Sequence, residues 1–149
     1  MKRHESLIPL THEHHHALAQ LRKLSKVSSK DQATRLRQGN EFLEFFDADI
    51  VLHFTEEECV VLPLVANESS MNELVLRTLR EHELIVTLVE NFRTEVTEGV
   101  PQGDTMQSLV FAMREHIRFE EKVLFPAIEN FVPEELSSMT LAPRQPVSA

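Results

Sequence analysis

The sequence predicts an all-α, antiparallel up-down-up-down four-helix bundle with a short C-terminal extension. Three observations predict it. Glycine is confined to Gly39, Gly99 and Gly103. Apolar residues recur at steps of three and four along four long segments. Each segment also carries a histidine with a glutamate next to it or one helical turn on, placed among those apolar residues.

The first segment begins near Thr11, read as an N-cap after Pro9, and aligns Leu10, His14, Ala17, Leu18, Leu21 and Leu24 before Ser28-Ser29. The second follows from about Asp31, with an inward stripe of Leu36, Leu43, Phe46, Ile50, His53, Glu57, Val60 and Leu64. Pro63 kinks or ends it. The third runs from about Met71 to Thr97 and turns Leu74, Val75, Leu79, His82, Ile85, Val86, Val89 and Phe92 inward, until Gly99-Val-Pro-Gln-Gly103 breaks it. The fourth starts after Asp104 and presents Met106, Leu109, Met113, His116, Glu120, Val123 and Ala127, interrupted by Pro126. Short connections make neighbours antiparallel. At 149 residues the chain is expected to be one domain, with a core over about 10–131 and a tail over 133–149. The tail has no helical period and two late prolines, so a capping turn followed by disorder or docking on a neighbour is expected.

Composition narrows the functional classes. A formal charge of −9 repels phosphate backbones, which argues against nucleic acid as partner. No apolar run approaches a membrane span, and Lys2, Arg3 and His4 follow Met1 without an apolar signal, so a soluble cytoplasmic protein is expected. The single Cys59 excludes an internal disulfide or a thiolate cluster, and reads as a small packed residue. Eight histidines remain to be explained.

The second and fourth segments contain a repeat. His53-Phe-Thr-Glu-Glu57-Glu58-Cys-Val60-Val-Leu-Pro63 matches His116-Ile-Arg-Phe-Glu120-Glu121-Lys-Val123-Leu-Phe-Pro126. His and Glu four residues apart share a helical face, so one side chain can bind a metal while the other bridges to a second. The first and third segments add Glu13-His14 and Glu81-His82. A lone helical histidine is usually a solvated residue. Four inward histidines and two inward glutamates, however, would each cost a few kcal/mol if left unpaired in an apolar core, and a shared metal site removes those costs together. In the first segment the register favours His14, with His15 one step round the helix; His12 and His16 are expected to reach solvent. Glu56, Glu58 and Glu121 read as surface charge, although one of them could orient a ligand histidine.

Two histidines and two bridging carboxylates give each ion four protein donors. Mixed imidazole and carboxylate ligation with octahedral room favours iron, with manganese second. Two open positions per ion can take a bridging oxygen and dioxygen, peroxide or nitric oxide.

The order His, His-x-x-x-Glu, His, His-x-x-x-Glu resembles the hemerythrin-like, or HHE cation-binding, domain family over about residues 10 to 131. The resemblance implies His14, His53, Glu57, His82, His116 and Glu120 as ligands of a non-haem di-iron centre with an oxo or hydroxo bridge. Thr78 and Val86 flank His82 where the oxygen carriers have a second histidine, which argues against reversible oxygen transport. Iron-sulphur repair proteins of the superfamily usually add a cysteine-bearing N-terminal domain that this sequence lacks. A ferritin-like site would need Glu-x-x-His pairs on two helices. The expected function is binding or sensing of dioxygen, nitric oxide or iron. The alternative is a redox enzyme acting on peroxide, nitric oxide or iron-sulphur centres, against whose radical forms the absence of Trp and Tyr counts. Val132 and Leu136 could cover a homodimer surface, and the acidic exterior leaves room for a protein partner.

Overall fold

A computed structural model describes residues 2–143. The chain folds into four long antiparallel helices, and no strand occurs among the described residues. After a 3-10 turn at Glu5–Leu7, α1 spans Ile8–Val27, with Pro9 in its first turn, where a missing N–H costs nothing. It therefore starts before the expected Thr11. The second rod, α2, covers 32–61 without a break: Gln32–Phe45, a π-helical turn at Phe46–Ile50, Val51–Glu56, and a second π-turn at Glu57–Val61. Asp31 caps it by accepting from the Thr34 N–H. Pro63 falls in the 3-10 turn Leu62–Val65 that ends the rod.

Helix α3 is Asn72–Thr97. Gly99, at φ 79, supplies the left-handed residue that turns the chain towards α4. Gly103 opens α4 with its Cα so close to α1 that an added Cβ would lie 2.3 Å from the Ser28 carbonyl oxygen. The rod α4 covers 103–131, as Gly103–Phe119, a π-turn at Glu120–Leu124, and Phe125–Phe131. Pro126 does not interrupt it. The π-turn lies immediately before, and the proline sits in the first turn of the segment that follows.

Contacts run round the bundle in antiparallel register: Lys23 with Glu41, Asp47 with Arg93, Glu95 with Thr105, and Ser28 with Gln107. The apolar interior is in two parts. One, around Leu21, Leu24, Phe42, Phe46, Phe92 and Leu109, fills one end. The other, around Leu7, Leu10, Val61, Val65, Leu124, Phe125 and Ile128, fills the opposite end. Between them lies a layer of buried polar residues.

The π-turns correct the expected stripes. Beyond Glu57 the buried residues include Val61, Leu62 and Val65, while Val60 and Leu64 are only partly covered. Beyond Glu120 they include Leu124, Phe125 and Ile128, while Val123 is exposed and Ala127 only partly covered. Each of the π-turns at Glu57 and Glu120 inserts one residue, so the stripe resumes one position later. Leu79 and Val86, expected inside, lie on the outer flank of α3, and Thr78 takes the inward place. Residues 133–138 form a helix, α5 (Pro133–Ser138). Val132 and Leu136 are buried within the chain, joined by Met139 and Leu141, so neither can cover a dimer surface. The tail thus docks on its own bundle as far as it is described; the disorder expected at its end falls on 144–149, outside the described residues. Cys59 is exposed rather than packed. No described helix is long and apolar enough to cross a membrane.

Candidate metal centre

The polar layer consists of His14 from α1, His53 and Glu57 from α2, Thr78 and His82 from α3, and His116 and Glu120 from α4, each at most 3% exposed. All six expected ligand residues meet there. His14 is buried whereas His12, His15 and His16 are exposed, so His14 is the α1 histidine that enters the layer. Glu57 and Glu120 each begin a π-turn, so both carboxylates leave the helix where its backbone is widened.

Two groups of potential ligands result: His14, His53, Glu57 and Glu120, and Glu57, His82, His116 and Glu120. Both carboxylates belong to both groups. Glu120 Oε1 lies 2.9 Å from His14 Nε2 and 3.9 Å from His53 Nε2, while its Oε2 lies 3.2 Å from His116 Nε2 and 3.7 Å from His82 Nε2. Glu57 reaches His82 Nε2 at 3.1 Å and His53 Nε2 at 3.3 Å. Of these contacts, only His14 Nε2 to Glu120 Oε1 is a hydrogen bond. Both Glu57 oxygens, Glu120 Oε2, His82 Nε2 and His116 Nε2 are buried without a hydrogen-bond partner. Buried polar atoms in native proteins are rarely left so. The Nε2 atoms of His14 and His53 face each other at 3.1 Å, close to the roughly 3 Å between two cis donors on one ion at about 2.1 Å. The residues present fit a dinuclear metal site.

The outer nitrogens are all accounted for. Each Nδ1–H donates to a carboxylate, which can only accept: His53 to Glu13 at 2.8 Å, His82 to Glu58 at 2.7 Å, His116 to Glu81 at 2.7 Å and His14 to Glu121 at 2.6 Å. The partners follow the bundle in order. α1 orients a histidine of α2, α2 one of α3, α3 one of α4, and α4 one of α1, closing a ring. Because every Nδ1 is engaged in this way, every Nε2 is turned to the centre, as ligand histidines require. Arginines back two of the carboxylates: Arg3 contacts Glu121 at 3.2 Å and Arg77 contacts Glu81 at 2.8 Å, over the rings of Phe125 and Phe119 respectively.

Glu58 and Glu121 therefore are not merely surface charge. Glu56 is buried, and accepts the Ala142 N–H from the tail. The roles of Glu13 and Glu81 were not read from the sequence at all. The signal was there: each ring glutamate is the chain neighbour of an inward ligand residue, about 100° round the helix and so aimed at the next helix.

Without metal, burial disfavours the charged imidazoles, but the carboxylates outweigh it. Burial lowers and Glu120 with Glu57 raise His82, to a net value of about 10. The same opposition leaves His116 at about 9, and His53 well above its usual value. Glu120 is pushed up by burial but held well below the carboxylate range by His116 and its other neighbours. Raised folded-state values stabilise the metal-free bundle below the ordinary histidine pKa, and that contribution is lost as pH rises through about 9 to 10. Metal must displace these protons. Loading at pH 7 is expected to acidify a weakly buffered solution by roughly one proton per charged histidine, measured by pH-stat titration; uptake without proton release would show the rings already neutral.

The family model described as the Hemerythrin HHE cation binding domain matches residues 8–132. No curated protein and no solved structure matches the chain. With a match over most of its length and buried His/Glu clusters suited to a cation, the chain belongs to the hemerythrin HHE cation-binding domain family.

Proposed function

We propose that this protein holds two iron ions and uses them to bind or sense dioxygen, nitric oxide or iron itself. His14 and His53 would hold one ion and His82 and His116 the other, with Glu57 and Glu120 available to both. The observation that carries this reading is the pair of four-residue groups sharing both carboxylates, most of whose buried donor atoms otherwise lack hydrogen-bond partners. When bound, such a centre supplies exchangeable coordination positions and a ferrous/ferric couple. The chain's part is to orient the four imidazoles through the carboxylate ring and to keep water away with the apolar clusters at either end.

Binding is favoured over catalysis by the surroundings of the centre. A void of about 10 Å³ abuts His14, His53 and His116, and its remaining walls are Ala17, Ile50, Phe54, Met113 and Ile117. It is at the threshold for a single water-sized occupant. None of those walls can deliver a proton, which peroxide reduction requires. The test is elemental analysis of the purified chain after iron reconstitution. About two irons per chain are expected from the six-ligand arrangement; a chain that stays empty, or takes up zinc in preference, overturns the reading.

A further inference from the structure

The flank of the bundle between α2 and α3 is open where the inward stripe of α3 was expected to be closed. Leu79 and Val86, together with Val51 of α2, are 37–47% exposed and line an apolar groove of about 470 Å³ that ends on His82. Its floor is the ring of Phe54, stacked on the His82 imidazole with centroids 3.9 Å apart and planes at 14°. The same Phe54 is a wall of the inner void beside His14, His53 and His116. One side chain thus separates a surface groove from a void that reaches three of the candidate ligands. Glu58 and Glu83 stand on the groove's lining, in a chain whose formal charge is already −9.

We propose that small neutral ligands reach the candidate centre through this α2/α3 groove, with the Phe54 ring as the wall that swings aside, and that the groove disfavours small anions. The proposal rests on the metal-binding reading above. Neutral diatomic molecules partition readily into apolar surface, whereas an anion must pass two carboxylates before losing its water. Displacing one aromatic ring is a local side-chain rearrangement, so the wall can admit a ligand without opening the bundle.

The test uses the full iron-loaded chain with two probes, nitric oxide for the ferrous form and azide for the ferric form, followed by stopped-flow absorbance. Val86→Trp fills the groove from an exposed position and is expected to slow nitric oxide association by about tenfold or more. Glu83→Lys is expected to speed azide association by up to about tenfold while leaving nitric oxide unchanged. Iron content is measured on every sample. An empty chain refutes the metal reading, whereas a loaded Val86→Trp protein with unchanged nitric oxide kinetics refutes the route alone, and azide rates indifferent to Glu83→Lys refute the charge selection. A metal-free readout stands beside these. Under xenon pressure, methyl resonances of Val51, Leu79 and Val86 are expected to shift in the unsubstituted chain, and those of Ile50 and Ile117 to follow in Phe54→Ala. Inner methyls that stay unmoved in a folded Phe54→Ala protein would show that Phe54 is not the wall.

Discussion

Glu120→Ala is expected to empty both metal positions, whereas His53→Ala is expected to leave about one ion per chain. The difference follows from reach. The Glu120 carboxylate lies within 3.9 Å of the Nε2 atoms of all four histidines, so its loss removes an oxygen from each group of four. His53 belongs to one group. Losing one of four donors is expected to cost each ion at least about a hundredfold in affinity, since even partners outside the coordination sphere are worth 10- to 100-fold. Metal per chain after desalting, with circular dichroism to establish folding, measures it. Full loading of Glu120→Ala would remove this carboxylate from the centre, and complete loss in His53→Ala would mean the two positions fill only together.

Chelation is expected to lower the melting temperature by roughly 10 °C. A ligand present at about a thousand times its dissociation constant stabilises the folded state by about 4 kcal/mol, and each kcal/mol moves the midpoint of a domain this size by about 2–4 °C. The location of the site makes the loss global rather than local. The polar layer separates the two apolar clusters, so its uncompensated atoms lie where all four rods are held together. Calorimetry with and without a strong chelator, at matched pH, decides the matter. Coincident melting curves would mean that the protons on His82 and His116 stabilise the layer as well as metal does.

Most of the fold was legible because helical period and breakers are local signals. Asp31, Pro63 and the Gly99–Gly103 stretch punctuate the chain much as expected, and the inward residues of the layer follow from spacing, except that spacing left His15 open beside His14. What escaped was the π-turn. Its inserted residue leaves no mark on composition, yet it moved the buried positions from Val60 to Val61 and from Val123 to Leu124. A strict 3.6-residue period cannot anticipate that shift. The outward placement of Leu79 and Val86 escaped for another reason. Apolar residues on a helix flank read as core unless something shows that the neighbouring helix stops short of them. The carboxylate ring was hidden because its pairings join residues 24 to 107 positions apart, and a single sequence says nothing about which helix stands beside which.

The ring also has a symmetry. Glu13 serves His53 and Glu81 serves His116, each within its own helical hairpin, while Glu58 serves His82 and Glu121 serves His14 across the seam. The arrangement is a pseudo-two-fold, with the axis passing between Glu57 and Glu120, the same pattern as the His-x-x-x-Glu-Glu repeat in the sequence. Each hairpin can orient one of its own two histidines and depends on the other hairpin for the second. The centre is therefore a self-complementary interface of the kind two identical subunits make, folded into one chain. A minimal scaffold for the same chemistry would be one hairpin, dimerised about that axis.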